Sequence, residues 1–173
     1  MLTRVYILLG GVIGWDGYAD SRGLIDELKP QLDEIYGVTC VVFDWDQYPA
    51  AALDIKAHEG KSKIVGIGFS GGASRLTYVA NESSKPVIDL LIGYDPSPPR
   101  QVMSLGNNVK KAICYHNTRP LMWVPFIGQL GGGQYTGTCP IETHDFAQQH
   151  LTVDYNRDLH AMTVAAVRAL AKQ

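Results

Sequence analysis

Ile64-Val65-Gly66-Ile67-Gly68-Phe69-Ser70-Gly71-Gly72-Ala73 runs from an apolar, β-branched segment through Gly-x-Ser-x-Gly into residues 73–81, which read as helix. That order of residue types predicts a buried strand, a tight turn and a helix. Gly68 and Gly72 carry no β-carbon to crowd a sharp turn, so the backbone can lift the Ser70 hydroxyl clear of a sheet. The Gly71 N–H, opening the helix, would then face the oxyanion formed when Ser70 attacks an acyl carbon. The bare pattern is common by chance; the strand before it and the helix after it give it meaning.

Working outward, strand and helix patterns alternate. Residues 4–9, 38–43, 63–69, 87–94 and 109–115 read as strands, with 140–143 a short sixth. Residues 21–35 have helical spacing, with Leu24, Ile25, Leu28, Leu32 and Ile35 on one face and Gly37 as a stop. Residues 50–59 form a short helix ended by Gly60, and 154–171 a closing amphipathic helix with Asp154 as its N-cap. Near-continuous apolar strands separated by helices predict an α/β three-layer sandwich: a mostly parallel five- or six-stranded sheet covered on both faces. Right-handed crossovers put every strand's carboxyl end on one edge, which gathers Ser70, Asp95, His116 and the loop after Leu9. Residues 117–139, with Gly131, Gly132 and Gly133, read as a long functional loop or lid, or as hiding a short element.

At 173 residues one domain, 1–173, is the expected count, large enough to bury about 70% of its unfolded-chain surface. A net charge of −2 and a pI near 6.2 offer no electrostatic case for nucleic acid or an anionic membrane. No stretch approaches a membrane span, and the apolar run after Arg4 breaks on glycines without a small-x-small cleavage site. Cys40, Cys114 and Cys139 fit neither a disulfide framework nor a zinc site. The expectation is a soluble cytoplasmic protein acting on a small acyl molecule.

A serine hydroxyl needs a base to attack, and the base an orienting carboxylate. Asp95, directly after the apolar run Leu90-Leu91-Ile92-Gly93-Tyr94, is the acid candidate; Asp44 and Asp46 precede Ser70 and read as a cap and a surface charge. His150 is the favoured base, ahead of the last helix, and His144 the alternative. His160, His58 and His116 have plainer readings within a helix, at a helix end and at a strand end. In Gly10-Gly11-Val12-Ile13-Gly14, Val12 is the candidate second oxyanion donor beside Gly71. The rival reading of that loop as a dinucleotide cradle lacks Gly-x-Gly-x-x-Gly. Trp123, Phe126 and Tyr135 are candidates to line an acyl pocket, or to pack the long loop onto the sheet.

Leu8-Leu9-Gly10-Gly11, Gly68-Phe69-Ser70-Gly71-Gly72, Tyr94-Asp95-Pro96 and His150-Leu151-Thr152-Val153-Asp154 together resemble the α/β-hydrolase superfamily, in its small serine-esterase and lipase-like members without a large cap. The resemblance implies Ser70 as nucleophile, Asp95 as acid and His150 as base, on an ester or related acyl bond, without a cofactor. It leaves open an acyltransferase or thioesterase with the same triad, and a binding module on the same fold that has lost turnover.

Overall fold

The computed structural model describes residues 1–11, 21–82, 88–97, 102–119, 123–124 and 128–173. Strand β1 (Leu2–Leu8) leads to a π-helical turn, Leu24–Leu28, that runs into α1 (Lys29–Asp33). Pro30 has no N–H to close an ordinary turn, and the wider ladder just before it shows in the Lys29 N–H bond to the Leu24 carbonyl. Then follow β2 (Val38–Phe43), a 3₁₀ turn (Trp45–Gln47), α2 (Tyr48–His58), β3 (Ser62–Phe69) and α3 (Gly71–Glu82). Next come β4 (Leu90–Tyr94), β5 (Val102–Leu105), β6 (Ala112–Asn117), β7 (Trp123–Val124), β8 (Gly128–Gln129), β9 (Gln134–Gly137) and β10 (Ile141–Phe146). A 3₁₀ segment, His150–Tyr155, precedes α4 (Arg157–Ala171).

Six strands form one parallel sheet in the order β10-β6-β4-β3-β1-β2. Period-two alternation splits its side chains between two cores. Val5, Ile7, Val65, Ile67, Ile92 and Tyr115 pack under Leu24, Leu28 and Leu32 and under Leu159, Val164 and Val167 of α4. Tyr6, Leu8, Ile64, Leu91 and Cys114 face the other way, under Ala51 and Ile55 of α2 and Leu76 and Val79 of α3. Each such Leu, Ile or Val contributes about 1.5–3 kcal/mol by leaving water. The result is the α/β three-layer arrangement expected from the strand pattern. Tyr94 donates to the Leu159 carbonyl (3.2 Å) and meets Thr163 Oγ1 at 2.5 Å, tying α4 to the strand that carries Asp95.

Of the two readings of 117–139, the hidden short element is the one met: the segment contains β7, β8 and β9, and β9 pairs in parallel with β5, which the sequence reading passed over, and buries Tyr135 against Gly93. Two readings need correction. The short strand at 140–143 extends to Phe146, because pairing with β6 continues to Asn117. The last helix is capped by Asn156, not Asp154: the Asn156 side chain accepts the Asp158 and Leu159 N–H groups at 3.1 Å each. Asp154 is fully buried and instead accepts the Gly23 N–H at 2.9 Å. Among the described residues no helix is long and apolar enough to cross a membrane.

Candidate active site

Ser70 follows the last residue of β3 and precedes the first of α3, with φ +51. A non-glycine residue in this region is strained by about 1–3 kcal/mol. The neighbouring packing explains why the turn holds. A β-carbon on Gly68 would stand 2.6 Å from the Ala73 nitrogen, and one on Gly72 would strike the Leu8 and Leu9 carbonyls. The turn therefore closes only with glycine at both positions. Backbone bonds from Ser70 N–H to the Tyr94 carbonyl (3.0 Å) and from Ser97 N–H to the Ser70 carbonyl (3.2 Å) brace it against the end of β4.

Asp95, at φ +42, leaves β4 at the same edge and donates its N–H to the Tyr115 carbonyl at 2.9 Å. His150 opens the 3₁₀ segment after β10. The three side chains come into line: His150 Nδ1 is 2.6 Å from Asp95 Oδ2, and His150 Nε2 is 2.8 Å from Ser70 Oγ. All three are buried, and the His150 ring stacks on Phe69 with centroids 5.2 Å apart. A bond between Nδ1 and the carboxylate selects the tautomer whose Nε2 accepts a proton.

The Asp95 carboxylate has two further donors that the sequence reading missed. Asn117 Nδ2 reaches Oδ2 at 2.9 Å, and the Gly132 N–H reaches Oδ1 at 2.5 Å. Asn117 also donates to the Gln148 carbonyl at 2.7 Å, which ties down the segment leading to His150. Gly131 lies directly on the aspartate–histidine pair. The run of three glycines was the available signal: it marked a place where backbone approaches something closely.

His144 lies elsewhere. It sits within β10, half-buried, with Nε2 2.8 Å from Glu142 Oε1, and its ring packs beside Tyr115. Glu142, held also by Lys111 at 2.9 Å, keeps its carboxyl below the ordinary range, first through that lysine and then through His144. His116 pairs with Asp145 at 2.9 Å. Asp44 caps the Trp45–Gln47 turn. Gly71 is the first residue of α3, with the Gly11 carbonyl packed against it. Val12 and Phe126 lie outside the described residues, and of Trp123 only the backbone is described. Among the described residues no cluster of three His, Cys, Asp or Glu could hold a metal ion.

No family profile and no curated protein sequence matches the chain. Solved structures do. An α/β serine hydrolase homologue from Coxiella burnetii superposes with a TM-score of 0.60 at 16% identity, over 96% of this chain and 85% of that one. RedJ, a thioesterase of the prodiginine biosynthetic pathway in Streptomyces coelicolor, gives 0.56 at 11% identity, over 95% and 89%. Human thioesterase 2 gives 0.54 at 7% identity, over 98% and 97%. The chain has the α/β-hydrolase fold.

Proposed function

We propose that the chain is a serine hydrolase that cleaves an ester or related acyl bond through an acyl-enzyme. The observation that carries this reading is the line Asp95 Oδ2, His150 Nδ1, His150 Nε2, Ser70 Oγ, with separations of 2.6 and 2.8 Å. Asp95 holds the imidazole by its Nδ1–H and stabilises the imidazolium. His150 Nε2 takes the Ser70 proton as Oγ bonds to the acyl carbon, and the carbonyl π pair moves onto oxygen. The Gly71 N–H, at the positive end of α3, stabilises that oxyanion, with Val12 as the candidate second donor. His150 then protonates the leaving group as its bond to carbon breaks. Water, deprotonated by the same nitrogen, releases the acid and restores Ser70.

A thioester enters the same scheme unchanged, since only the leaving atom differs. The likeness to two thioesterases makes such substrates part of the screen. A binding module without turnover would lack the contact between Ser70 and His150, and the 2.8 Å separation argues against it.

A fluorophosphonate probe tests the reading. Wild type should label, Ser70→Ala should not, and His150→Ala should label at least ~10³-fold more slowly. His144→Ala should stay within about threefold of wild type, because His144 touches neither Ser70 nor Asp95. Ester turnover retained in Ser70→Ala would sink the assignment.

A further inference from the structure

Arg75 stands in α3 five residues beyond Ser70 and is half-buried. Its guanidinium carbon lies 5.0 Å from the ring centroid of Tyr48, 5.5 Å from that of Trp45 and 5.6 Å from that of Tyr78. Arg4, Arg22 and Arg157 each face a carboxylate, on Asp54, Asp26 and Glu27 respectively. Among the described residues the Arg75 side chain makes no hydrogen bond and no ion pair; its interactions are with aromatic rings. A contact with an aromatic ring consumes no N–H donor, and a guanidinium carries five of them in its plane. The three rings thus hold a cation whose donors meet no acceptor among the described residues.

The position of this cation gives it a use. Trp45 follows β2 at the sheet edge that carries Ser70. Its indole packs on Gly11, where an added β-carbon would stand 2.5 Å from Nε1, and the Gly11 carbonyl packs on Gly71 beside the nucleophile. A continuous path of contacts therefore joins Ser70 to Arg75 along the rim. At 1.5 Å per residue, Arg75 lies about 7 Å along the α3 axis from Ser70. The contrast is a cavity of about 540 Å³ at the opposite edge of the sheet, lined by Lys63, Lys110 and Lys111. There every ammonium is already engaged, by the Leu170 carbonyl, Asp89 and Glu142.

We propose that Arg75, clamped by Trp45, Tyr48 and Tyr78, is a specificity-determining subsite that binds a carboxylate carried by the substrate of Ser70. A single planar cation suits a singly charged, planar carboxylate through two parallel N–H bonds. The substrate class is an acyl compound whose acyl carbon and anionic end are separated by about 7–10 Å. The proposal rests on the hydrolase reading for the reacting end of that substrate.

The test pairs two esters of equal chain length, the p-nitrophenyl monoester of suberic acid and p-nitrophenyl octanoate. Arg75→Met should lower kcat/KM on the anionic ester by about tenfold or more, and leave the neutral ester within about twofold. Arg75→Lys, which keeps charge but loses the fork, should fall between. An equal loss on both esters, or no preference for the anionic ester in wild type, overturns the subsite. Calorimetry on Ser70→Ala, titrated with suberic acid monoamide and with octanamide, separates the two claims. If Ser70 neither labels nor turns over while the monoamide binds in an Arg75-dependent way, the subsite stands and the hydrolase reading falls. Labelling at Ser70 with equal binding of monoamide and octanamide gives the reverse. Wild-type preference and Arg75→Lys still decide the matter should Arg75→Met fold poorly.

Discussion

At Gly131 the backbone has φ +76, and a β-carbon there would stand 2.5 and 2.6 Å from the two Asp95 oxygens and 2.6 Å from His150 Nδ1. Gly60 has nearly the same φ, +73, yet a β-carbon on it would meet nothing within 4 Å. The pair separates backbone strain from site geometry. Gly60→Ala should cost about 1–2 kcal/mol in denaturant unfolding and leave fluorophosphonate labelling unchanged. Gly131→Ala carries the same strain but must also push the carboxylate off the imidazole. Labelling in that variant should slow by about 10²-fold, since displacement of a catalytic group by an ångström costs on that order. Equal labelling in the two variants would show that the glycine run is a loop feature only. At this scale Ser70 and Asp95 were legible, each as a polar residue at the end of an apolar run. Asn117 and Gly132 were not, because a hydrogen bond between residues 22 or 37 positions apart leaves no mark on local sequence.

Among the elements, the passage from β10 into α4 carries His150, the proposed base, and its anchors are distributed. Asn156 caps α4 and also donates to Gln148 Oε1 at 2.7 Å, while the Gln148 carbonyl accepts from Asn117. Asn156→Ala should therefore lower stability by about 1 kcal/mol, read as a shift in the urea midpoint at constant slope. Asp154→Asn is the informative companion, since an N-terminal cap tolerates that exchange and a buried acceptor of the Gly23 N–H has a different environment to satisfy. Aspartate and asparagine two positions apart are equivalent caps by propensity. The choice went to Asn156 because Asp154 is drawn into contact with Gly23, 131 residues away. The same logic lengthened β10 and created β5 and β9. A neighbouring strand supplies hydrogen bonds that no local pattern announces.

For the molecule as a whole, the last helix holds a buried titratable group against the sheet. His160 is buried, its Nε2–H donates to the Asp154 carbonyl at 2.6 Å, and its ring lies against Tyr94. Burial lowers its pKa by disfavouring the charged form, which outweighs the pull of that carbonyl. The unfolded chain then binds a proton near the ordinary value of about 6.5 while the folded chain does not. Stability from this group is present above that pH, falls as the pH drops below it, and is lost once the pH passes below the folded-state pKa. The thermal midpoint should fall between pH 7 and pH 5, and His160→Gln should shrink that fall. Parallel slopes in the two proteins would assign the acid sensitivity to other groups.

The alternation of apolar strands with amphipathic helices was by itself enough to determine the parallel three-layer sheet. Periodicity is a local property, and handed crossovers leave few ways to stack such elements. It also determined that Ser70 stands on a tight turn, because Gly68 and Gly72 border it. The sequence favoured His150 over His144 as the base, but the distances that set the two apart belong to tertiary structure. Both follow the same region of chain, but pairing of β10 with β6 places His144 on an edge strand beside Glu142. The turn after that strand brings His150 between Asp95 and Ser70, which are 55 and 80 residues distant in sequence. Only packing sets distances between such residues, and a hydrogen-bonded row tolerates errors of a few tenths of an ångström.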